Sequence, residues 1–252
     1  MLNCLIVPHY DHVKQFKILL PGLAAHALPL IVVDDASPGG SFDALQQLLE
    51  GYSGDVTLIR HDVNLGKGAA VITALRAAQA AGHTHALQVD ADGQHDVSSI
   101  GRFCEASEQY PERIICGEPV FARDISKLRY YARYITLSFS WLESLSMEIR
   151  DAMCGFRMYP VDSMVHILSR STPGLRMTFD PEILVRAIWN GVGLHFIPVE
   201  VRYPQSGKSH FRYFRDNIEI SWMHTRLITG MLLRLPVLLK RKLSARNRPA
   251  AK

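Results

Sequence analysis

The chain opens with short apolar runs set between segments of mixed character: "LNCLIV", "LPLIVVDD", "DVTLIRH" and "HALQVD". Each run has the length of a buried strand, and the intervening segments 13–27, 41–50 and 68–82 carry apolar residues at helical spacing. The alternation predicts βαβα units on a largely parallel sheet. The clearest helix is "GKGAAVITALRAAQAAG", rich in Ala and Leu and closed by Gly82. After about residue 118 the pattern changes. A polar-aromatic segment over 123–150 is followed by a strand around "CGFRMYP", a helix near 180–191 and a strand at "LHFIPVEVRYP". This second half is read as part of the same domain rather than a separate one.

Open parallel sheets bind ligands outside the carboxyl ends of their strands. Here those ends carry Pro8-His9-Tyr10-Asp11, Asp34-Asp35-Ala36-Ser37, Arg60-His61-Asp62 and Asp90-Ala91-Asp92. Four successive strands thus deliver polar groups to one edge. In "LQVDADGQHD", Asp90 and Asp92 stand two apart in a turn, where both carboxylates can aim at one hard cation while Gly93 lets the backbone bend. Taken alone, an Asp-x-Asp is as readily a strand-end turn with capping residues. Asp96 is read as the cap of the helix that follows.

Composition narrows the class. With 252 residues, 48% of them hydrophobic, the chain can bury a full core, which excludes disorder. Cys4, Cys104, Cys116 and Cys154 have neither zinc spacing nor disulfide density, so they are expected to be packing residues in a reduced, cytoplasmic setting. The start "MLNCLIVPHYDH" has no basic leader, and no apolar stretch approaches about 18 residues, so neither a signal sequence nor a spanning helix is expected.

The net charge of +4 is uneven. Residues 220–252 hold eight Lys or Arg and no acid, leaving residues 1–219 at −4. The stretch "SWMHTRLITGMLLRLPVLLKRKL" joins apolar residues to periodic cations around Pro236, which predicts a pair of membrane-surface helices. In that reading residues 222–243 meet an anionic membrane, with Lys240, Arg241 and Lys242 facing the headgroups. The competing reading packs the apolar face on the domain itself. The chain is divided accordingly into a main domain, 1–217, and a basic amphipathic tail, 218–252. Nucleic acid is not expected, because the body is acidic and no nucleic-acid module precedes the tail.

The blocks "VPHYDH", "VVDDASPGG", "HDVNLGKGAA", "LQVDADGQHD", "DAMCGFRMYP", "FDPEILVRAIWNGVGLHFIPVEVRYP" and "GKSHFR", in this order over residues 3–217, resemble the family 2 glycosyltransferases. The branch they are most similar to contains the dolichyl- and polyprenyl-phosphate sugar synthases. The resemblance implies an α/β fold of the GT-A type, with a mostly parallel central sheet flanked by helices, to which the tail adds C-terminal amphipathic helices. It further implies a nucleotide-diphosphate sugar donor, Mg²⁺ or Mn²⁺, and inverting transfer to a lipid-linked or amphiphilic acceptor at the cytoplasmic membrane face.

Residue by residue, the resemblance gives Pro8, Tyr10, Asp34 and Asp35 to the nucleoside, and Asn64, Gly66 and Lys67 to base and ribose. Asp90 and Asp92 match the metal-binding pair, with Gln94 a further polar ligand. Asp151 matches an acid near the acceptor. It is a candidate base toward a hydroxyl, whereas a phosphate acceptor is already ionised and needs none. Arg202 matches an arginine near donor phosphate, and Lys208, Ser209 and His210 follow on a loop suited to closing over a diphosphate. Arg129 and Arg133, one helical turn apart, are candidates for an anionic acceptor, and Arg157 with Glu182 for a structural ion pair.

The chain departs from the family pattern at Asp11-His12, where Asn-Glu is usual, and at Pro38-Gly39-Gly40, where Asp-Gly-Thr is usual. A phosphate-loop ATPase is excluded because "NLGKG" lacks the required spacing. Two rivals remain at this point. A nucleotidyltransferase calls for a Gly-rich basic loop after the first strand, which "VPHYDHVKQF" lacks; a membrane-docked nucleotide-binding scaffold without catalysis is the other.

Overall fold

The structure, a computed structural model, describes residues 1–121, 127–201 and 213–246, and the side chains of these except 121, 127–132, 213–216 and 244–246. Its strands are β1 Asn3–His9, β2 Leu30–Asp34, β3 Val56–Arg60, β4 His85–Gln88, β5 Ile114–Phe121, β6 Arg157–Pro160 and β7 Leu194–Val201. The helices are α1 Val13–Ala24, α2 Ser41–Leu49, α3 Lys67–Ala80, α4 Ile100–Gln109, α5 Lys127–Ser144, α6 Val161–Ser169, α7 Phe179–Trp189 and α8 Tyr213–Arg246. The strands form one sheet in the order β3-β2-β1-β4-β6-β5-β7. Only β6 runs against its neighbours, so the sheet is mostly parallel.

The alternation of side chains along a strand divides the core in two. Cys4, Ile6, Ile31 and Val33 point to the face covered by α3, α6, α7 and α8, whereas Leu5, Val7, Leu30 and Val32 point to α1, α2 and α4. Burial on both faces explains why β1 and β2 read as continuous apolar runs. β5 and α5 were not resolved as elements by the sequence pattern. The Ile114-Ile115-Cys116 run is short and passes into Gly117, Glu118 and Pro119, and α5 hides within the polar-aromatic segment.

Pro8 marks the opening of the sheet. β4 pairs with β1 only from Asn3↔His85 to Ile6↔Gln88, while β2 continues alongside β1 to His9↔Asp34. A proline beyond the β4 ladder sacrifices no hydrogen bond on that side. Successive strands lead away from β1 in one direction through β2 and β3, and in the other through β4. The carboxyl ends of β1 and β4 therefore frame the topological switch point, where α/β sheets bind ligands.

The C-terminal segment corrects one expectation. Instead of two helices flanking Pro236, α8 is one helix with the proline inside it. Loss of the Pro236 donor is tolerated because both halves are anchored on the same core, through Met223, Leu227 and Met231 before it and Leu238 after it. The helix begins ahead of residue 218, and its inner stripe is continuous with the core of the sheet. Basic residues serve this packing. Arg226 pairs with Glu182 at 2.9 Å, Arg234 lies over the Trp189 ring, and Arg241 donates to the Trp189 carbonyl at 2.6 Å. Arg241 and Lys242, expected to face lipid, thus donate to carbonyls of the body, Lys242 to Leu145. The outer stripe of α8 remains apolar, with Ile218, Trp222, Leu232, Leu233, Val237 and Leu243 exposed. Among the described residues no helix is long and apolar enough to cross a membrane.

Candidate active site

At the end of β2 the two adjacent aspartates turn to different tasks. Asp34 is fully buried; Oδ1 lies 2.9 Å from His9 Nδ1 and Oδ2 accepts from the Ser37 amide at 3.0 Å. The Ser37 hydroxyl also donates to Oδ1 and accepts from the Asp11 amide at 2.9 Å. Burial opposes the Asp34 charge, but the hydrogen bonds from His9 and Ser37 outweigh it and hold the carboxyl below its usual range. Asp34 therefore ties the loop after β1 to the loop after β2. Pro8 is buried inside β1, and Tyr10 stands directly beyond it, half-buried and hydrogen-bonded or otherwise partnered.

Asp35 organises the loop that enters α3. Its Oδ1 meets His61 Nδ1 at 2.8 Å and accepts from the Leu65 amide at 2.9 Å, while Oδ2 accepts from the Gly66 amide at 2.7 Å. Asn64 donates its amide to the Asp35 carbonyl at 3.2 Å and accepts from Arg176 Nη1 at 3.0 Å. Gly66 has φ +106°, and a Cβ there would sit 2.5 Å from the Leu175 carbonyl oxygen. Both facts demand glycine. In this structure Asp34, Asp35 and Asn64 hold the loops at the carboxyl ends of β1, β2 and β3.

Lys67 then starts α3 with its ammonium between two carboxylates. Nζ lies 2.8 Å from Asp90 Oδ2, beyond the end of β4, and 2.8 Å from Asp180 Oδ2, in the first turn of α7. Asp90 Oδ1 accepts from Gln88 Nε2 at 3.0 Å, and His95 Nε2 lies 3.7 Å from Oδ2. Burial disfavours the charge on Lys67 and on Asp90. Their mutual attraction, with Asp180 acting on Lys67, prevails, so the Lys67 pKa rises and that of Asp90 falls. Gly155 lies against this cluster. A Cβ there would fall 2.6 Å from Lys67 Nζ and 2.7 Å from Asp90 Oδ2, so the cluster exists in this form only over a glycine.

Asp92 lacks such relief. Its Oδ1 accepts from the Gln94 amide at 3.1 Å, and burial together with the nearby Asp90 charge pushes its carboxyl up. Asp96 caps the turn Val97–Ser99 as expected, accepting from Ser98. No third His, Cys, Asp or Glu joins the aspartates in a metal-holding group among the described residues. That donor set fits Mg²⁺ or Mn²⁺, which bind through one or two carboxylates and complete their shells with water and substrate phosphate. It does not fit a closed structural zinc site.

Asp151, which the resemblance sets near the acceptor, is buried with both oxygens engaged. Oδ1 accepts from the amides of Met153 at 2.9 Å and Cys154 at 2.7 Å, and Oδ2 pairs with Arg133 Nε. The expected Arg157–Glu182 pair is not formed. Arg157, wholly buried, donates to the carbonyls of Asp180 and Ala152, and Glu182 instead pairs with Arg186 and Arg226. The cause is position: Glu182 lies one turn below Arg186 on α7 and faces α8. Arg202, Lys208, Ser209, His210 and the Arg129 side chain lie outside the described residues.

The structure brings Asp90, Asp92, Lys67 and the Asp35 loop, with the strand-end His61, to the switch point, together with residues that the sequence pattern did not single out: Asp180, Arg176, His95 and Gly155. Asp180 carries a weak signal in the Asp-Pro that opens α7, but nothing local pairs it with a lysine 113 positions earlier.

Two curated relatives span most of the chain. A UDP-N-acetylglucosamine–dolichyl-phosphate N-acetylglucosaminyltransferase of Methanococcus voltae is 24% identical over 216 residues, covering 80% of this chain and 86% of that protein. A polyprenol monophosphomannose synthase of Mycolicibacterium smegmatis is 23% identical over 218 residues, covering 81% and 78%. Among solved structures, Staphylococcus aureus TarS in complex with UDP-GlcNAc superposes with a TM-score of 0.60 at 16% identity, over 90% of this chain and 66% of that one. Mycobacterium tuberculosis glucosyl-3-phosphoglycerate synthase, with Mn²⁺, UDP-glucose and phosphoglyceric acid, superposes at 0.61 with 10% identity, over 92% and 79%. These structures share the fold, GT-A. The model described as "Glycosyl transferase family 2" matches residues 4–168, more than half of the chain, and the protein belongs to the family 2 glycosyltransferases.

Proposed function

We propose that the protein moves a sugar, with inversion, from a nucleotide-diphosphate sugar to a polyprenyl-phosphate or similarly amphiphilic acceptor at the cytoplasmic face of a membrane. The observation that carries this reading is the position of Asp90 and Asp92 beyond β4, at the switch point of the sheet. These two residues would hold Mg²⁺ or Mn²⁺, with Gln94 beside them. A divalent cation, when bound there, neutralises charge developing on the leaving nucleoside diphosphate. The loops fixed by Asp34 and Asp35 leave Pro8, Tyr10 and the Asn64–Lys67 turn along the cleft for the nucleoside. Arg202, Lys208, Ser209 and His210 keep the donor-phosphate role that the family pattern gives them.

Arg133, paired with Asp151, suits an anionic acceptor better than a neutral one. An ionised phosphate needs no base, and Asp151 then orients Arg133. The names of both curated relatives point to polyprenol-linked phosphates as acceptors or products in those proteins. The exposed apolar stripe of α8 and the acid-free basic end supply the contact with an anionic bilayer, although through one helix rather than two. The test is transfer of radiolabelled sugar from UDP- and GDP-sugars to undecaprenyl or dolichyl phosphate with Mg²⁺ or Mn²⁺. A labelled lipid, absent with chelator and with Asp92→Asn, is the expected result. Failure with every donor and every lipid phosphate overturns it.

A further inference from the structure

Lys67 occupies the oxygen of Asp90 that an incoming metal would need. Asp90 Oδ1 accepts from Gln88 and Oδ2 from Lys67, with His95 Nε2 3.7 Å from Oδ2, so a metal arriving at Oδ2 would meet a cation already there. Yet Lys67 is not held by Asp90 alone. Asp180 meets it at an equal 2.8 Å, and the second oxygen of Asp180, Oδ1, is buried with no hydrogen-bond partner. An unpaired carboxylate oxygen in the interior is costly to maintain unless it receives a donor in another state. The Lys67 ammonium already sits on the other oxygen of the same carboxylate.

We propose that Lys67 is a resident cation that neutralises Asp90 until a divalent metal binds, and that Asp180 is the positioning residue that takes Lys67 over when it does. The inference rests on the reading of Asp90 and Asp92 as metal ligands. Two carboxylates, Asp90 and Asp180, share one ammonium in the structure, and Asp92 stands two residues beyond Asp90. Arrival of a dication would supply the missing charge, release Lys67 from Asp90 Oδ2, and let it donate to both oxygens of Asp180. The ammonium would stay beside the site, available to donor phosphate, and it could not be lost to solvent with Asp180 fixed by Arg157 at its backbone carbonyl. Gly155 gives the cluster its room, since a Cβ there would fall 2.6 Å from Lys67 Nζ and 2.7 Å from Asp90 Oδ2. Asp180 thus acts through Lys67 and needs no contact with substrate.

The test is Mn²⁺ binding without nucleotide, followed by the electron paramagnetic resonance of free Mn²⁺, on wild type, Asp92→Asn, Lys67→Met, Asp180→Asn and the Lys67→Met/Asp180→Asn double variant. Asp92→Asn abolishes binding if the metal reading holds; binding that survives it overturns that reading itself, whatever Lys67 does. With that control in place, Lys67→Met is expected to bind Mn²⁺ about tenfold more tightly, because a competing charge is gone. Asp180→Asn is expected to bind about tenfold more weakly, and this loss should shrink to about threefold or less in the Lys67→Met background. Equal affinity of Lys67→Met and wild type, or an Asp180→Asn loss of the same size in both backgrounds, overturns the proposal. If Lys67→Met does not fold, the side-chain ¹⁵N resonance of Lys67, assigned by its absence from Lys67→Arg, should move on adding Mg²⁺ to wild type. A resonance that stays in place overturns the handover.

Discussion

Replacing Asp35 by Asn keeps the shape of the side chain and removes one acceptor and the charge. In the wild type, Oδ1 serves His61 and the Leu65 amide, and Oδ2 serves the Gly66 amide, all within 2.9 Å. An asparagine has a single carbonyl oxygen, so its NH₂ must face donors on one side or the other. A hydrogen bond to a charged acceptor contributes about 1.5–3 kcal/mol, and a buried donor left unmatched costs about 1–3 kcal/mol. One side of the interaction survives, so the net loss is about 2–4 kcal/mol. In a chain of this size each ~1 kcal/mol moves Tm by roughly 2–4 °C, which puts Asp35→Asn about 4–16 °C below wild type. Thermal melting followed by circular dichroism at neutral pH is the assay, with donor affinity measured alongside. Because the same carboxylate sets the turn that launches Lys67, donor affinity should fall too. A Tm within about 1 °C of wild type would refute the claim that Asp35 holds this loop.

Asp34 gives a pH signature. Its folded pKa lies below the unfolded value near about 3.9, so its contribution is complete above that pH and is lost as pH falls through the folded pKa. The Tm difference between wild type and Asp34→Asn should be wide at neutral pH and narrow progressively as pH falls below the unfolded value; a constant difference contradicts the assignment. Burial pushes the thiols of Cys4, Cys116 and Cys154 up to about 12, so at pH 8 only the part-exposed Cys104 should react readily with a disulfide reagent until the protein is unfolded. Rapid modification of more than one thiol in the native protein would contradict the burial. Asp151→Asn should raise the KM for a lipid phosphate acceptor more than it lowers kcat, since its role is to hold Arg133; a loss confined to kcat instead favours a base. Leu233→Glu, on a side chain 78% exposed, should leave Tm unchanged and reduce co-sedimentation with phosphatidylglycerol vesicles; undiminished sedimentation places the contact elsewhere.

Strands β1 to β4 and helix α3 were legible because burial on both faces and helical periodicity are local signals, readable a few residues at a time. The order of the strands was not, since β6 enters between β4 and β5 through contacts far apart in sequence. Asp90 and Asp92 were legible from residue type, spacing and strand-end position. The engagement of Asp34 and Asp35 was not. The same two letters suit a nucleoside contact or a loop knot, and only the geometry of His9, Ser37, His61 and Gly66 shows what their oxygens meet in this structure. In α8 the cations pointed to lipid, but Arg226 and Arg241 reach body groups on α7 or at its end, Glu182 and the Trp189 carbonyl. An amphipathic pattern gives a face its polarity without naming the surface it meets.

The central claim is that Asp90 and Asp92 bind a divalent cation together with a nucleotide-diphosphate sugar. Isothermal titration of UDP- and GDP-sugars into wild type and Asp92→Asn, each with and without Mn²⁺, tests it most directly. Saturable binding of one nucleotide class that requires Mn²⁺ and vanishes in the folded Asp92→Asn variant is the expected result. Binding of equal strength without metal or in that variant would contradict it, as would no binding of either class.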